Sequence, residues 1–214
     1  MVRRIAFFDL DGTILQGLSS EKSFFFHLIK QRHLGIWRLF KYWLSILKLL
    51  PKYKFRVFIK NKAYLVGFSE DEIKKLAEKF VTENLLKKIH PELIQKIEQH
   101  RASHDALILL TGTPYFIAEI FAKHLNIEHV EATHCVLEDN YFTEQEPAQS
   151  PFAEEKLTIA EKLCQQYQAN IKDCVAYGNS IHDAILLSAV GCAIAVSPDR
   201  KLRKFAEKNG WEIV

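Results

Sequence analysis

The strongest constraint on this chain is an arrangement that occurs three times: a short apolar run without helical period, ended abruptly by a polar cluster. Ile5–Phe8 runs straight into Asp9-Leu10-Asp11-Gly12-Thr13. Residues 106–110 end at Thr111-Gly112-Thr113-Pro114, and residues 174–177 end at Gly178-Asn179. An unbroken apolar run of this length is the pattern of a strand buried on both faces, as in a parallel sheet covered by helices. Residues 130–132, 193–196 and 211–214 read as further strands, the last at a sheet edge. Between these runs lie helical patterns at 115–124, 153–167, 182–190 and 199–209. Thr113 and Pro114 are placed to cap and start the first of these helices, and Gly191 and Gly210 to close the last two. The alternation predicts an α/β fold, a Rossmann-like parallel sheet flanked by helices, with ligands bound at the carboxyl ends of the strands. All three polar clusters fall at such ends. Residues 135–137 and 141–143, around Glu138-Asp139-Asn140, read as a hairpin appended to this sheet.

The stretch from 19 to about 98 has a different character. It shows helical patterns, a capping box at Ser69-x-x-Glu72 and no strand, and so reads as a helical insertion between the first two core strands. From Lys22 to Ser69 the chain carries eleven Lys and Arg and no Asp or Glu, whereas the remainder carries eighteen basic and twenty-six acidic residues. The net charge of +3 therefore hides a separate electrostatic unit. Within it Trp37, Phe40, Tyr42, Trp43, Leu44, Leu47 and Leu50 mix with Arg38, Lys41, Lys48, Lys52 and Lys54. Such a helix ordinarily turns its apolar face inward, but a surface without acids equally suits an anionic membrane or a strongly anionic substrate. No recognised nucleic-acid motif accompanies the charge, so no nucleic acid is expected as a partner. Lys41 and Lys48 interrupt the most apolar region, which argues against a membrane span. The four cysteines form no C-x-x-C pair and read as buried free thiols of a reducing compartment. The apolar run that ends at Asp9 is too short for a signal peptide, which together predicts a cytoplasmic protein.

The polar clusters suggest phosphoryl chemistry. Asp9 and Asp11 are two residues apart across a turn, so one carboxylate and a neighbouring carbonyl can share a hard cation such as magnesium while the other carboxylate stays free. A carboxylate so placed can attack phosphorus, and its neighbour can protonate the leaving oxygen. Gly12 lets the backbone approach closely. Thr111 offers a hydroxyl near a helix start, and Lys156 a fixed positive charge for phosphate oxygens. His182, at a helix start, reads as a solvated side chain.

In order along the chain, Phe8-Asp9-Leu10-Asp11-Gly12-Thr13, Leu110-Thr111-Gly112-Thr113, Lys156 and Gly178-Asn179-Ser180-Ile181-His182-Asp183 resemble the four motifs of the haloacid dehalogenase (HAD) superfamily. The insertion between the first two is similar to the cap of its phosphoserine-phosphatase-like subfamily, IB. The resemblance implies a HAD core from residues 1–18 and 90–214 and a helical cap from residues 19–89. It implies a phosphatase, a phosphoric monoester hydrolase, with Asp9 as nucleophile and Asp11 as general acid and base. Thr111, Gly112 and Lys156 would hold the phosphoryl group, and Asp9, Asp11, Asn179 and Asp183 would hold Mg2+. The family's fourth motif begins Gly-Asp, whereas this chain has Gly178-Asn179. A neutral ligand there predicts magnesium binding at least ~10-fold weaker.

The expected reaction is hydrolysis of a small-molecule or lipid-derived phosphomonoester through an aspartyl-phosphate. Phosphoserine and a phospholipid-derived phosphate such as phosphatidylglycerophosphate are the named candidates. The subfamily's phosphoserine enzymes resemble one another in a cap glutamate about nine residues after the nucleophile. This chain has Leu18 there, and Glu21 is a poor substitute. The alternative expectation is a catalytically weakened protein of this fold that binds phosphate or makes peripheral contact with an anionic membrane.

Overall fold

The computed structural model describes residues 4–17, 19–54 and 57–214. Its organising element is β1 (Ile5–Phe8), whose four residues are all buried, with Ala6 and Phe8 facing one side and Ile5 and Phe7 the other. That two-sided burial follows from the strand's period of two and is why the run shows no polar alternation. β1 pairs in parallel with β2 (Ala106–Pro114) on one side and β6 (Val175–Gly178) on the other. β3 (His129–Thr133) lies outside β2, while β7 (Cys192–Ala195) and the edge strand β8 (Glu212–Ile213) lie outside β6. Among the described residues the order is β3-β2-β1-β6-β7-β8, all parallel, so the fold is the expected α/β sheet. The chain winds outward from β1 in one direction and then from β6 in the other. The crevice above β1 and β6 is therefore the topological switch point, where such sheets bind ligands.

Helices follow the strands. α1 (Ser20–Lys30), α2 (Ile36–Tyr53), α3 (Val57–Lys60), α4 (Glu70–Asn84) and α5 (Pro91–Ala102) lie between β1 and β2. After β2 come α6 (Tyr115–His124), α7 (Glu154–Gln166), α8 (Ala184–Ala189) and α9 (Arg200–Asn209). Phe8, Phe24, Ile73, Leu93 and Phe121 share one core layer with α1, α4, α5 and α6. Ile5, Phe7, Ile108, Leu163 and Leu187 share the other with α7, α8 and α9. Ser69 caps α4 by accepting the Glu72 N–H, and Gly210 closes α9 in the left-handed region at φ 67°.

Five expectations need correction. β2 runs on to Pro114, and Pro114 itself takes the cap position of α6, so Thr113 is a strand residue whose hydroxyl is used elsewhere. The 182–190 pattern divides into a 3-10 turn at Ile181–Asp183 and the short α8, because the Asp183 carboxylate turns back onto the backbone of Ser180. Gly191 does not close α8 in a left-handed turn. A Cβ there would stand 1.7 Å from the Lys172 carbonyl oxygen, so the glycine serves close approach of backbone to backbone. The hairpin, β4 (Leu137–Glu138) and β5 (Tyr141–Phe142), forms its own two-stranded sheet. Its two-residue turn suits Asp139 and Asn140, both at positive φ. All four cysteines are free, but only Cys164 and Cys174 are buried; Cys135 is half-buried and Cys192 exposed.

α2 answers the question its composition raised. Of its apolar residues only Ile46 is buried, while Ile36, Trp37, Phe40, Trp43, Leu44, Leu47 and Leu50 are exposed. No helix among the described residues is long and apolar enough to cross a membrane.

Candidate active site

A cavity of about 830 Å³ opens above the carboxyl ends of β1, β2 and β6, with Asp9, Asp11, Thr111, Lys156, Asn179 and Asp183 in its polar part. β1 and β6 end close to where their sequences turn polar and β2 carries its polar residues at its C-terminal end, so three separate segments deliver side chains to one crevice. Lys156, in the first turn of α7, is the fourth contribution. Its Nζ donates to Asp9 Oδ1 and to Asp183 Oδ1, both at 2.7 Å. Lys156 and Asp183 are buried and Asp9 is half-buried.

Burial opposes the charge of Lys156, but the adjoining carboxylates of Asp183 and Asp9 outweigh it and hold the ammonium protonated. Burial likewise opposes ionisation of Asp183. Lys156 and the Ser180 donors overcome it, leaving that carboxyl below its ordinary range. Its Oδ2 accepts from the backbone N–H of Asn179 and Ser180 and from the Ser180 hydroxyl at 3.2, 3.0 and 3.1 Å. Asp183 therefore ties Lys156 to the loop of Asn179 and Ser180. For Asp9 burial wins: with Asp183 and Asp11 nearby, its carboxyl is raised to about 6 despite Lys156. Thr13 donates to its other oxygen at 3.3 Å.

Asp11 is held by groups that the motif alone does not single out. The Ser20 N–H, one of the unpaired donors at the start of α1, reaches Asp11 Oδ1 at 2.9 Å. The Thr113 hydroxyl donates to Oδ2 at 3.0 Å. Burial outweighs both and raises the carboxyl above its ordinary value, so Asp11 takes up a proton more readily than a solvated carboxylate. Gly12, at φ 84°, lets the β1 loop pass beside Asn179: a Cβ there would stand 1.9 Å from Asn179 Nδ2. Thr111 is fully buried at the cavity wall, and Gly112, beside it, accepts the Thr133 hydroxyl on its carbonyl at 2.7 Å. Asp9, Asp11, Thr111, Gly112, Lys156, Asn179 and Asp183 thus share one cavity. His182 stays exposed at its rim, its ring 4.6 Å from that of Phe152.

Three carboxylates, Asp183 buried and Asp9 and Asp11 half-buried, surround one ammonium. With the amide oxygen of Asn179 the available donors are all hard oxygens, and this excess of negative charge fits a divalent cation such as magnesium. Among the described residues no group of three or more His, Cys, Asp or Glu converges as a metal cage. A cation would thus lean on few side chains and keep several waters.

Sequence reasoning passed over Asn61, which lines the cavity, and Lys62, which pairs with Glu21. Glu21 faces the cavity, but Lys62 Nζ donates to both its oxygens at 2.6 Å and the Tyr64 hydroxyl to one at 3.0 Å. Lys62 is buried, a position no lysine spacing announces. Asn61 is buried with its Nδ2 unpartnered while its Oδ1 accepts the Ala63 N–H. Leu18 lies outside the described residues.

The sequence profile of haloacid dehalogenase-like hydrolases matches residues 6–188. A phosphoserine phosphatase of Mycobacterium tuberculosis is 30% identical over 97% of this chain and 69% of its own length. A crystal structure of a protein of unknown function from Bordetella pertussis aligns over 100% of this chain and 99% of its own, with a TM-score of 0.84 and 22% identity. A substrate-bound phosphoserine phosphatase aligns over 100% of this chain and 93% of its own, with a TM-score of 0.70 and 14% identity. The last two similarities speak to the fold.

Proposed function

We propose, for a chain that belongs to the haloacid dehalogenase-like hydrolase family and is a phosphatase within it, that it hydrolyses a small or lipid-linked phosphomonoester through an aspartyl-phosphate on Asp9. The observation that carries this reading is the buried Lys156 ammonium at 2.7 Å from both Asp9 and Asp183, which leaves Asp9 exposed to the cavity at the head of β1. In this reading residues 1–18 and 90–214 form the catalytic core and residues 19–89 the cap.

Asp9 attacks phosphorus as its ionised carboxylate, forming an acyl phosphate as the bond from phosphorus to the leaving oxygen breaks. Asp11, whose burial favours the protonated form, gives its proton to that oxygen. Asp11 then takes a proton from the water that attacks the same phosphorus, which releases phosphate and restores the Asp9 carboxylate. Thr111, the backbone at Gly112 and Lys156 receive the phosphoryl oxygens. Asp9, the Asp11 carbonyl and the Asn179 amide oxygen would hold magnesium, with Asp183 orienting Lys156 and the Asn179 loop from behind. The ion would supply a Lewis acid that screens the charge between carboxylate and phosphoryl group.

Phosphoserine is the substrate in the name of the mycobacterial relative. Against it here stands Glu21, whose carboxylate is already neutralised by Lys62 and so is poorly disposed to a substrate ammonium.

The test is phosphate release from p-nitrophenyl phosphate across a magnesium titration. The native protein should need the metal, Asp9→Asn should release nothing, and Asn179→Asp should reach half-maximal rate at ~10-fold less magnesium. Turnover that survives in Asp9→Asn would remove Asp9 from the chemistry.

A further inference from the structure

The cavity has two chemical ends. Beyond the carboxylates its wall is made by Phe25, Phe26, Ile29, Leu39, Trp43 and Ile59, contributed by α1, α2 and α3. A phosphate and a three-carbon polar body would fill only part of about 830 Å³, a size that accommodates a drug-sized ligand. Cavities lined this way retain ligands by apolar burial, with a few polar groups fixing orientation.

The apolar wall continues onto the surface. Phe26 and Trp43 line the cavity and are also more than half exposed. Trp43 belongs to the same face of α2 as Ile36, Phe40, Leu47 and Leu50, spaced by three and four residues, with Trp37 and Leu44 at its margin. Ile36 is 84% exposed, Trp37 77% and Leu47 64%. Arg38 and Lys52 are tied back to the protein, the first over the Phe68 ring at 3.9 Å and the second to Glu146 at 2.8 Å. Lys41 and Lys48 remain exposed beside the apolar stripe. A helix with such a stripe, flanked by cations, lies in the plane of a lipid headgroup layer. The absence of any Asp or Glu from Lys22 to Ser69 makes an anionic layer the complementary partner. A second copy docked face to face would instead oppose cations to cations.

We propose, resting on the reading of Asp9 as nucleophile, that the substrate is a phosphomonoester with an apolar chain, taken from an anionic lipid bilayer on which the exposed face of α2 lies. The chain would run along the Phe25, Ile29 and Leu39 wall and leave by the Phe26 and Trp43 rim into the bilayer, so that the phosphate reaches Asp9 while the tail stays in apolar surroundings.

The experiment has two arms. In the first, the protein is sedimented with vesicles of phosphatidylcholine alone or mixed with phosphatidylglycerol, at low and raised salt. Binding is expected to the anionic vesicles, to weaken with salt, and to fall at least ~10-fold in the triple variant Trp37→Ser/Phe40→Ser/Leu47→Ser. Circular dichroism reports whether that variant is folded; if it is not, the salt and lipid dependence of the native protein decides. In the second, kcat/KM is measured on monomeric alkyl phosphates and should rise at least ~10-fold from ethyl to octyl phosphate. Absence of binding to anionic vesicles, or a flat chain-length series in an enzyme that releases phosphate through Asp9, would overturn the proposal. Self-association that the triple variant abolishes would assign the face to a second copy and overturn it too. No hydrolysis of p-nitrophenyl phosphate would defeat the reading of Asp9 itself, and the vesicle arm would still decide the docking face.

Discussion

At the scale of single residues, Lys156 and Asp9 pull stability and activity apart. Lys156 is the ammonium that faces Asp9 and Asp183 directly, so Lys156→Met leaves buried charges without a partner and should cost about 3–5 kcal/mol in chelator, where no metal can compensate. Asp9→Asn acts in the opposite sense. Asp9 in the folded protein titrates at about 6, above the ordinary 3.8, so at neutral pH its ionisation works against folding. Its removal should raise stability in chelator by roughly 1–3 kcal/mol while abolishing phosphate release. Urea unfolding of the two variants beside the native protein checks both signs. Asp9→Asn less stable than native would mean that the site is not overloaded with negative charge.

At the scale of elements, the site depends on how closely two loops pass. The loop after β1 and the loop after β6 meet at Gly12 and Asn179, where a methyl group has no room and φ is +84°. Gly12→Ala should therefore displace the loop that carries Asp9 and Asp11 and lower phosphate release on the order of 100-fold, as small misplacements of reacting groups do. Gly35→Ala is the control: Gly35 precedes α2 in open space with φ −71°, and its variant should keep native activity. Equal rates in the two variants would show that the loop contact does not set the geometry.

At the scale of the whole molecule, a buried network ties the sheet to the helix layer and makes stability depend on pH. His100, at the end of α5, bonds Asp105 Oδ2 at 2.7 Å through Nδ1 and the Tyr177 hydroxyl of β6 at 2.8 Å through Nε2. Asp105 also accepts from Arg4 Nε at 3.0 Å, just before β1. Burial lowers the His100 pKa below the ordinary 6.5 and outweighs the neighbouring Asp105. The imidazole is then neutral, donating to Asp105 and accepting from Tyr177. Because the folded pKa is depressed, the unfolded chain takes up a proton first as pH falls. Stability is thus fully present above the unfolded value and is lost as pH drops through 6.5 toward the folded value. Urea midpoints measured between about pH 7.5 and about pH 5.5 should fall more steeply in the native protein than in His100→Asn. Parallel curves would remove His100 from the linkage.

The division between chain and fold runs along the same scales. Strand and helix identity, the α/β class and the polar residues of the site were legible in the order of residues, because a doubly covered strand must be apolar and its loop carries what the ligand needs. Helix ends and partnerships were less so. Thr113 had the look of a cap and instead holds Asp11, since only the extension of β2 decides where its hydroxyl points. Gly191 had the look of a helix stop and instead admits the Lys172 carbonyl, a neighbour nineteen residues away that no local pattern announces. Lys62 neutralises Glu21, forty-one residues away, for the same reason. The outward face of α2 is the clearest case: its periodicity established that the helix has an apolar side, but which side meets the protein depends on the surfaces that other segments leave to cover, and the tertiary structure left this one uncovered.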